Sequence, residues 1–447
     1  MAPRTLLTMP PEMLLHILFF LEPYIGPGSE FRSEHIVLQK TVVSWMCLSR
    51  THYRLAQRVL YHTMTSGQLN GAMQRVNFRV TRCAKIARLV RVLYANYNES
   101  RTMTNFGNLP SVPIVMFQVG FCMNLQALVL SRTTYPRRVL PSQLLRNRNT
   151  LAPGWPASSN LLLANLCRFE IHPDEWLRDD LDLESDGWLL LLAKLPQMKT
   201  ISVPTITERA LVPPREQAPS QQQASPEEQE QLQEQPLNTK SLALTSQPLT
   251  PGLLEAVLKT FQLLEELSVT WPQKGRIWLA AADIWPELGR VLHEHGLSLR
   301  KIHFEYKRES RGSLMNLAGL SGLQSLALPI DAVISEPVSR QQAATTAGGA
   351  GQALLAPHGA GSGSNTFTIP LIYLLPPNIS SLTIMDHRNL QADAHRLDNQ
   401  LRDLMVHRTF SGLRTIRLRR SRPFIQSGGW GWFKHSPDRF WQVLERR

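Results

Sequence analysis

Leu264-Glu265-Glu266-Leu267-Ser268-Val269 is the stretch whose reading decides the fold. Its apolar residues hold the first, fourth and sixth places. The last two alternate with a polar residue, as a short half-buried strand requires. The pattern recurs with drift as Leu125-Leu128-Leu130, Leu166-Phe169-Ile171 and Met198-Ile201-Val203. It returns as Leu299-Ile302-Phe304, Leu323-Leu326-Leu328, Ile379-Leu382-Ile384 and Leu413-Ile416-Leu418, and Leu242-x-Leu244 reads as one strand more.

Helical stretches lie between these triplets. Thr250-Pro251 opens one, with Leu254, Val257, Leu258 and Phe261 on a face. Leu390, Ala394, Leu397, Leu401 and Leu404 mark another, at spacings of three and four. Alternating strands and helices make this an α/β chain. Units at a loose period read as an irregular leucine-rich-repeat-like solenoid, in which each unit buries its apolar face only by stacking on the next. Successive triplets start 41, 32, 66, 35, 24, 56 and 34 residues apart.

Two low-complexity stretches account for the two longest intervals. Pro213 to Pro236 holds eight Gln, five Glu and five Pro. Arg340 to Asn365 holds seven Ala and six Gly. Neither has enough apolar surface to fold, and the same pattern resumes after each, so residues 213–236 and 340–365 are expected to be disordered insertions into one domain.

The first 64 residues have another style. Pro10-Pro11-Glu12 suits a helix start, and Leu14, Ile17, Leu18 and Leu21 follow at helical spacing. A second helical stretch runs from about His35 to Ser49, with Val42, Trp45, Met46 and Ser49 on one side. A third follows from about His52, carrying Leu55, Ala56, Val59 and Leu60. Three helices this short have little core and would gain from a partner.

The run from Leu7 through Met9-Pro10-Pro11-Glu12 and the apolar helix to Glu22-Pro23 resembles the opening of an F-box. Cys47-Leu48-Ser49-Arg50, with Tyr53-Arg54-Leu55-Ala56 and Leu60-Tyr61, is similar to its close in the fungal style. Met9 stands where that family usually has leucine. The resemblance implies a three-helix F-box-like bundle over residues 5–64, ahead of a leucine-rich-repeat-like domain over 70–447. It implies docking of the Skp adaptor, and through it a cullin, by Met9, Pro10, Leu14, Ile17, Leu18, Leu21, Val43 and Leu48. The chain would then be the substrate-recruiting subunit of a cullin–RING (SCF-type) ubiquitin ligase. The repeats would hold a target protein, and the chain itself would perform no bond chemistry.

The formal net charge is +13, from 48 basic and 35 acidic residues. Residues 402–447 hold 11 basic residues and 3 acidic. Within them Arg414, Arg417, Arg419, Arg420 and Arg422 precede Trp430, Trp432, Phe433, Phe440 and Trp441. Such a tail suits a structural cap ending in a short helix at Ser436-Pro437, a protein-binding surface centred on Arg417, Arg419, Trp430 and Trp432, or, least favoured, nucleic acid. A second basic stretch, 75–90, has Val76, Val80, Cys83, Ala87 and Val90 at helical spacing.

Catalytic and cofactor motifs are missing. No Lys follows a Gly, which excludes a Walker A loop, and there is no His-Glu-x-x-His or Gly-x-Ser-x-Gly. Four cysteines form no Cys-x-x-Cys pair, and His293-Glu-His295 reads as two solvated histidines. The reading is therefore no enzyme, no cofactor and no metal. No apolar run reaches the ~18 residues of a membrane span, and the opening lacks the pattern of a signal peptide. A cytoplasmic or nuclear protein with no membrane or nucleic-acid partner is expected.

Overall fold

In a computed structural model of the chain, the residues described are 9–20, 41–66, 84–96, 122–131, 163–172, 188–211, 237–245, 249–271, 284–306, 315–333, 370–385, 391–419, 432–438 and 441–446. Both low-complexity stretches fall outside them. The chain is mixed α/β with mostly parallel strands, and it divides into two compact units, Met1–Thr239 and Lys240–Arg447.

The first unit opens with α1 (Pro11–Phe20), helical residues 41–46 and α2 (Arg50–Leu60). Five strands follow: β1 (Thr63–Ser66), β2 (Val92–Asn96), β3 (Ala127–Ser131), β4 (Arg168–His172) and β5 (Thr200–Val203). They pair in chain order, all parallel. Short helices α3 (Ala84–Ala87), α4 (Trp188–Ala193) and α5 (Glu208–Leu211) lie between or after them.

The second unit has β6 (Ser241–Leu244), β7 (Glu266–Trp271), β8 (Lys301–Tyr306), β9 (Ser325–Pro329), β10 (Ser381–Met385) and β11 (Thr415–Arg419), again parallel in chain order. Helices α6 (Pro251–Thr260), α7 (Ile284–His295) and α8 (Gln391–Val406) connect them. Thr250 caps α6 by accepting the Leu253 N–H, and Pro251 takes the first turn, where a missing N–H costs nothing.

Every triplet read from the sequence ends in one of these parallel strands. Its first residue is reached through a tight turn, in which Leu264 N–H donates to Phe261 O and Leu413 N–H to Phe410 O, both at 3.0 Å. The carbonyl just before most of the parallel strands then receives two donors from the next unit. Glu265 O accepts from Arg300 N (2.8 Å) and Lys301 N (3.0 Å), and Arg300 O accepts from Gln324 N (2.8 Å) and Ser325 N (3.0 Å). Gln126 O and Cys167 O do the same in the first unit.

A side-chain device repeats with it. Asn124 Nδ2 donates to Arg88 O (2.9 Å) and Asn378 Nδ2 to Ser321 O (2.9 Å); longer bonds join Asn165 to Met123 O and Asn238 to Pro196 O. Each asparagine stands just before the buried residue that opens a unit. In-register stacking then aligns Leu267, Ile302, Leu326, Leu382 and Ile416 as one buried row, with Val269, Phe304, Leu328, Ile384 and Leu418 beside it. At Gly296 a Cβ would stand 2.6 Å from Leu292 O, so only glycine lets the chain leave α7 this tightly.

Three sequence expectations change. The C-terminus ends in two strands instead of a helix: β12 (Trp432–Asp438) and β13 (Trp441–Arg446) form an antiparallel pair, and β13 pairs antiparallel with β11. Ser436-Pro437 lies within β12, where the register shifts between His435 and Asp438. Of the expected helix over 75–90, only Ala84–Ala87 is helical among the described residues, and Val90 lies beyond it in the turn before β2. Ser49 is the N-cap of α2, not part of the preceding helix face.

The buried row makes a direct prediction. Phe261 is fully buried, while Leu263, two residues on, is 44% exposed. Phe261→Ala is expected to cost about 3–5 kcal/mol through the cavity left behind, seen as faster hydrogen exchange across α6 and β7. Leu263→Ala is expected to stay within about 0.5 kcal/mol. Equal exchange in the two variants would show that the turn does not anchor the unit.

Candidate functional site

Two surfaces collect the residues that sequence reading singled out. The first is built on the N-terminal helices. Leu14, Leu18, Val42, Leu55, Ala56 and Val59 form a shared core, against which Met9, Leu15, Trp45, Met46 and Leu60 pack. Ser49 ties the start of α2 to this core. Its Oγ accepts the His52 N–H at 3.2 Å and lies 2.8 Å from His52 Nδ1. The second ring nitrogen, Nε2, is buried with no hydrogen-bond partner among the described residues, and the ring leans on Trp45 at 6.0 Å.

Outside this core the same helices carry an unusual set of exposed apolar side chains. Met13 is 53% exposed, Val43 47%, Leu48 50% and Tyr53 45%. Pro10 and Pro11 are exposed beside them in sequence. Single exposed apolar residues are ordinary; four on the described helices and turn of this small unit give it an unusually apolar exterior.

The eight positions drawn from the F-box resemblance therefore separate. Val43, Leu48 and Pro10 lie exposed, and Met9 and Ile17 are half-buried. Leu14 and Leu18 lie buried in the core, where they hold the helices together. Leu21 lies outside the described residues. Met13 and Tyr53 were missed, although their exposure follows from their places off the apolar stripes of their helices.

The second surface is the polar side of β8–β11. Arg417 and Arg419 lie on the same side of β11, with Leu418 buried behind them. Arg417 is exposed and has no ion-pair partner among the described residues. Arg419 donates from Nη1 to Glu305 Oε1 at 2.9 Å, across 114 residues of chain. Glu305 is on β8, three strands away, a span of about 14 Å at ~4.8 Å per strand. To close it both side chains must run flat along the sheet. Between them on the same row lie Pro329 and Met385, both buried. The ion pair is thus a strap laid over two apolar residues, and Glu305 is the member that sequence reading did not find.

Trp432 is opposite Arg446 in the β12–β13 pair, two strands from β11, and Trp430 lies outside the described residues. The tryptophan whose backbone faces Arg419 is Trp441, on β13.

Two lysines of the second unit are paired with carboxylates of a neighbouring strand unit. Lys240 and Lys301 reach Glu265 and Glu266, both at 2.5 Å. The Lys240 hydrogen bond holds the Glu265 carboxyl below its ordinary range. A lowered carboxyl adds stability only above its unfolded pKa and loses it as pH falls through the folded value; Glu265 is partly exposed and its lysine partner more so, so the effect is small. His293 is exposed, with its ring beside Gly319.

Among the described residues no group of three or more His, Cys, Asp and Glu could hold a metal ion, and no helix is long and apolar enough to cross a membrane. No family model matches the chain, and no curated protein matches it in sequence.

Cysteine environments give a test of the first unit. Burial pushes the Cys122 thiol up to about 12, whereas Cys47 is exposed. The thiolate is the reactive form. At pH 8, iodoacetamide followed by peptide mapping is expected to label Cys47 in the native protein and Cys122 only after unfolding. Comparable native labelling of both would place Cys122 on the surface.

Proposed function

We propose that the chain is a substrate-recruiting, F-box-like subunit of a cullin–RING ubiquitin ligase. Its N-terminal helices dock the Skp adaptor, and its repeating strand units, read as a leucine-rich-repeat-like solenoid, hold a target protein. The protein itself makes and breaks no bonds.

The observation that carries this reading is the exposed set Met13, Val43, Leu48 and Tyr53 over the core of Leu14, Leu18, Val42 and Val59. A small helical unit that leaves so much apolar surface in water gains most by covering it with a partner. Two of the four, Val43 and Leu48, are positions that the F-box resemblance assigns to the adaptor. The repeating turn, strand and two-donor carbonyl support the solenoid half of the reading, because each unit finds its backbone partners only in its neighbours.

A variant with Val43→Asp and Leu48→Asp separates docking from folding. Both side chains are about half exposed, so the monomer tolerates the charges. A docked interface would bury them unpaired. Co-purification of the Skp adaptor and cullin from the native cell is expected with the unaltered chain and to fall at least tenfold with the variant. The circular dichroism spectrum and thermal midpoint should stay unchanged. Recovery of the adaptor at equal yield from a folded variant would remove the F-box reading.

A further inference from the structure

We propose that the Glu305–Arg419 ion pair is a latch across β8–β11. Closed, it seals Met385 from solvent. Opened by added salt or by reversal of either charge, it exposes the Met385 thioether to oxidants. This goes beyond the function proposed above and does not depend on it.

Strand register sets Glu305, Pro329, Met385 and Arg419 in one row across four strands. Charged side chains stand at its two ends, with two apolar ones between. Two more rows share that side of the sheet. One is His303, Ala327, Thr383 and Arg417, and the other is Lys301, Ser325, Ser381 and Thr415. Among the described residues no ion pair joins the ends of either: Lys301 turns to Glu266 on β7, and Arg417 is exposed.

Burial follows the crossing. On the two middle strands Ser325, Ser381 and Thr383 are half-buried, small as they are. Met385 is far longer, yet it is 2% exposed, and Pro329 beside it is buried. Ala327, two residues before Pro329, is buried as well. A long apolar side chain on the open side of a sheet needs something laid over it, and the pair that crosses this row is Glu305–Arg419.

The closure is of a kind that opens. One hydrogen bond joins the two, from Arg419 Nη1 to Glu305 Oε1 at 2.9 Å, instead of the two-bond fork that makes arginine–carboxylate pairs strongest. The arginine side chain is 38% exposed and the glutamate 19%, so water and salt ions reach the contact. Both side chains regain rotamer freedom on release. His303 Nε2 lies 3.9 Å from Glu305 Oε2 and attracts it only when protonated. At pH 8 an ordinary imidazole is neutral, which leaves Arg419 as the cation on Glu305.

Opening has a chemical consequence. Hydrogen peroxide transfers one oxygen atom to a reachable methionine sulfur; its O–O bond breaks and water leaves. The sulfoxide is polar, which disfavours return of the side chain to the covered place.

The test treats the full chain with hydrogen peroxide at pH 8 and follows each methionine by peptide mass mapping. Exposed Met13 and buried Met315 serve as references. Met385 is expected to oxidise about tenfold more slowly than Met13 in the unaltered chain. Glu305→Lys keeps a long side chain over the floor but sets two cations together, and should raise the Met385 rate about fivefold. Adding Arg419→Glu restores opposite charges and should restore protection. Sodium chloride at 0.5 M should raise the rate about twofold in the unaltered chain and leave it unchanged in Glu305→Lys. Met315 should stay protected throughout, which separates latch opening from unfolding. Equal Met385 rates in the unaltered chain and Glu305→Lys would overturn the proposal. So would failure of the double variant to restore protection, indifference to salt, or oxidation of Met315 in step with Met385.

Discussion

Nearly every parallel strand is entered past a backbone carbonyl that receives two N–H donors from the unit that follows. Where a buried carbonyl has only one strand neighbour to serve it, the chain must return to the same height and register every time. The ladder from Lys240 O through Glu265 O, Arg300 O and Gln324 O to Ser380 O repeats this contact without change. What happens between two such points is nearly unconstrained. A returning chain that takes 24 residues and one that takes 56 close the same hydrogen bonds. Loop entropy rises only slowly with length, so the fold tolerates long insertions as long as the turn and strand are intact.

This explains which parts of the architecture could be read in the sequence. Leu, Ile, Val and Phe at the first, fourth and sixth places are the direct imprint of the turn and strand, and every such triplet lies where it was expected. Two of the parallel strands escaped because their imprint is partial. Thr63–Ser66 has Met64 as its sole large apolar residue, and the unit of β2 begins with Ala87 and Val90, whose spacing equally fits a helix. The unit of β6 begins with Thr239, fully buried where others have leucine, so only its Leu242 and Leu244 were visible. The asparagine before each of several buried openings was in plain view, but its meaning depends on a carbonyl tens of residues away.

The surfaces were less legible than the core, for a physical reason. Apolar residues at helical spacing look alike whether packing leaves them inside their own bundle or on its outside. Leu14 and Leu18 belong to the first kind and Val43 and Leu48 to the second, a division made by helix packing. The same holds for charge. Arg417 and Arg419 differ by two positions and share a face, yet one is exposed and the other is committed to Glu305, because only the strand stacking brings β8 within its reach.

The last two strands have a consequence for the behaviour of the molecule in a crowded solution. A parallel array of this sort has no intrinsic length, and its final strand would offer a row of unmade backbone bonds to any extended chain. Here the direction reverses at β13, and β12 carries Pro437 next to its shifted register. Proline has no N–H to offer, and a bulge twists the strand away from a flat approach. The outermost strand is thereby a poor template for recruiting further strands, which guards a leucine-rich protein against end-to-end polymerisation.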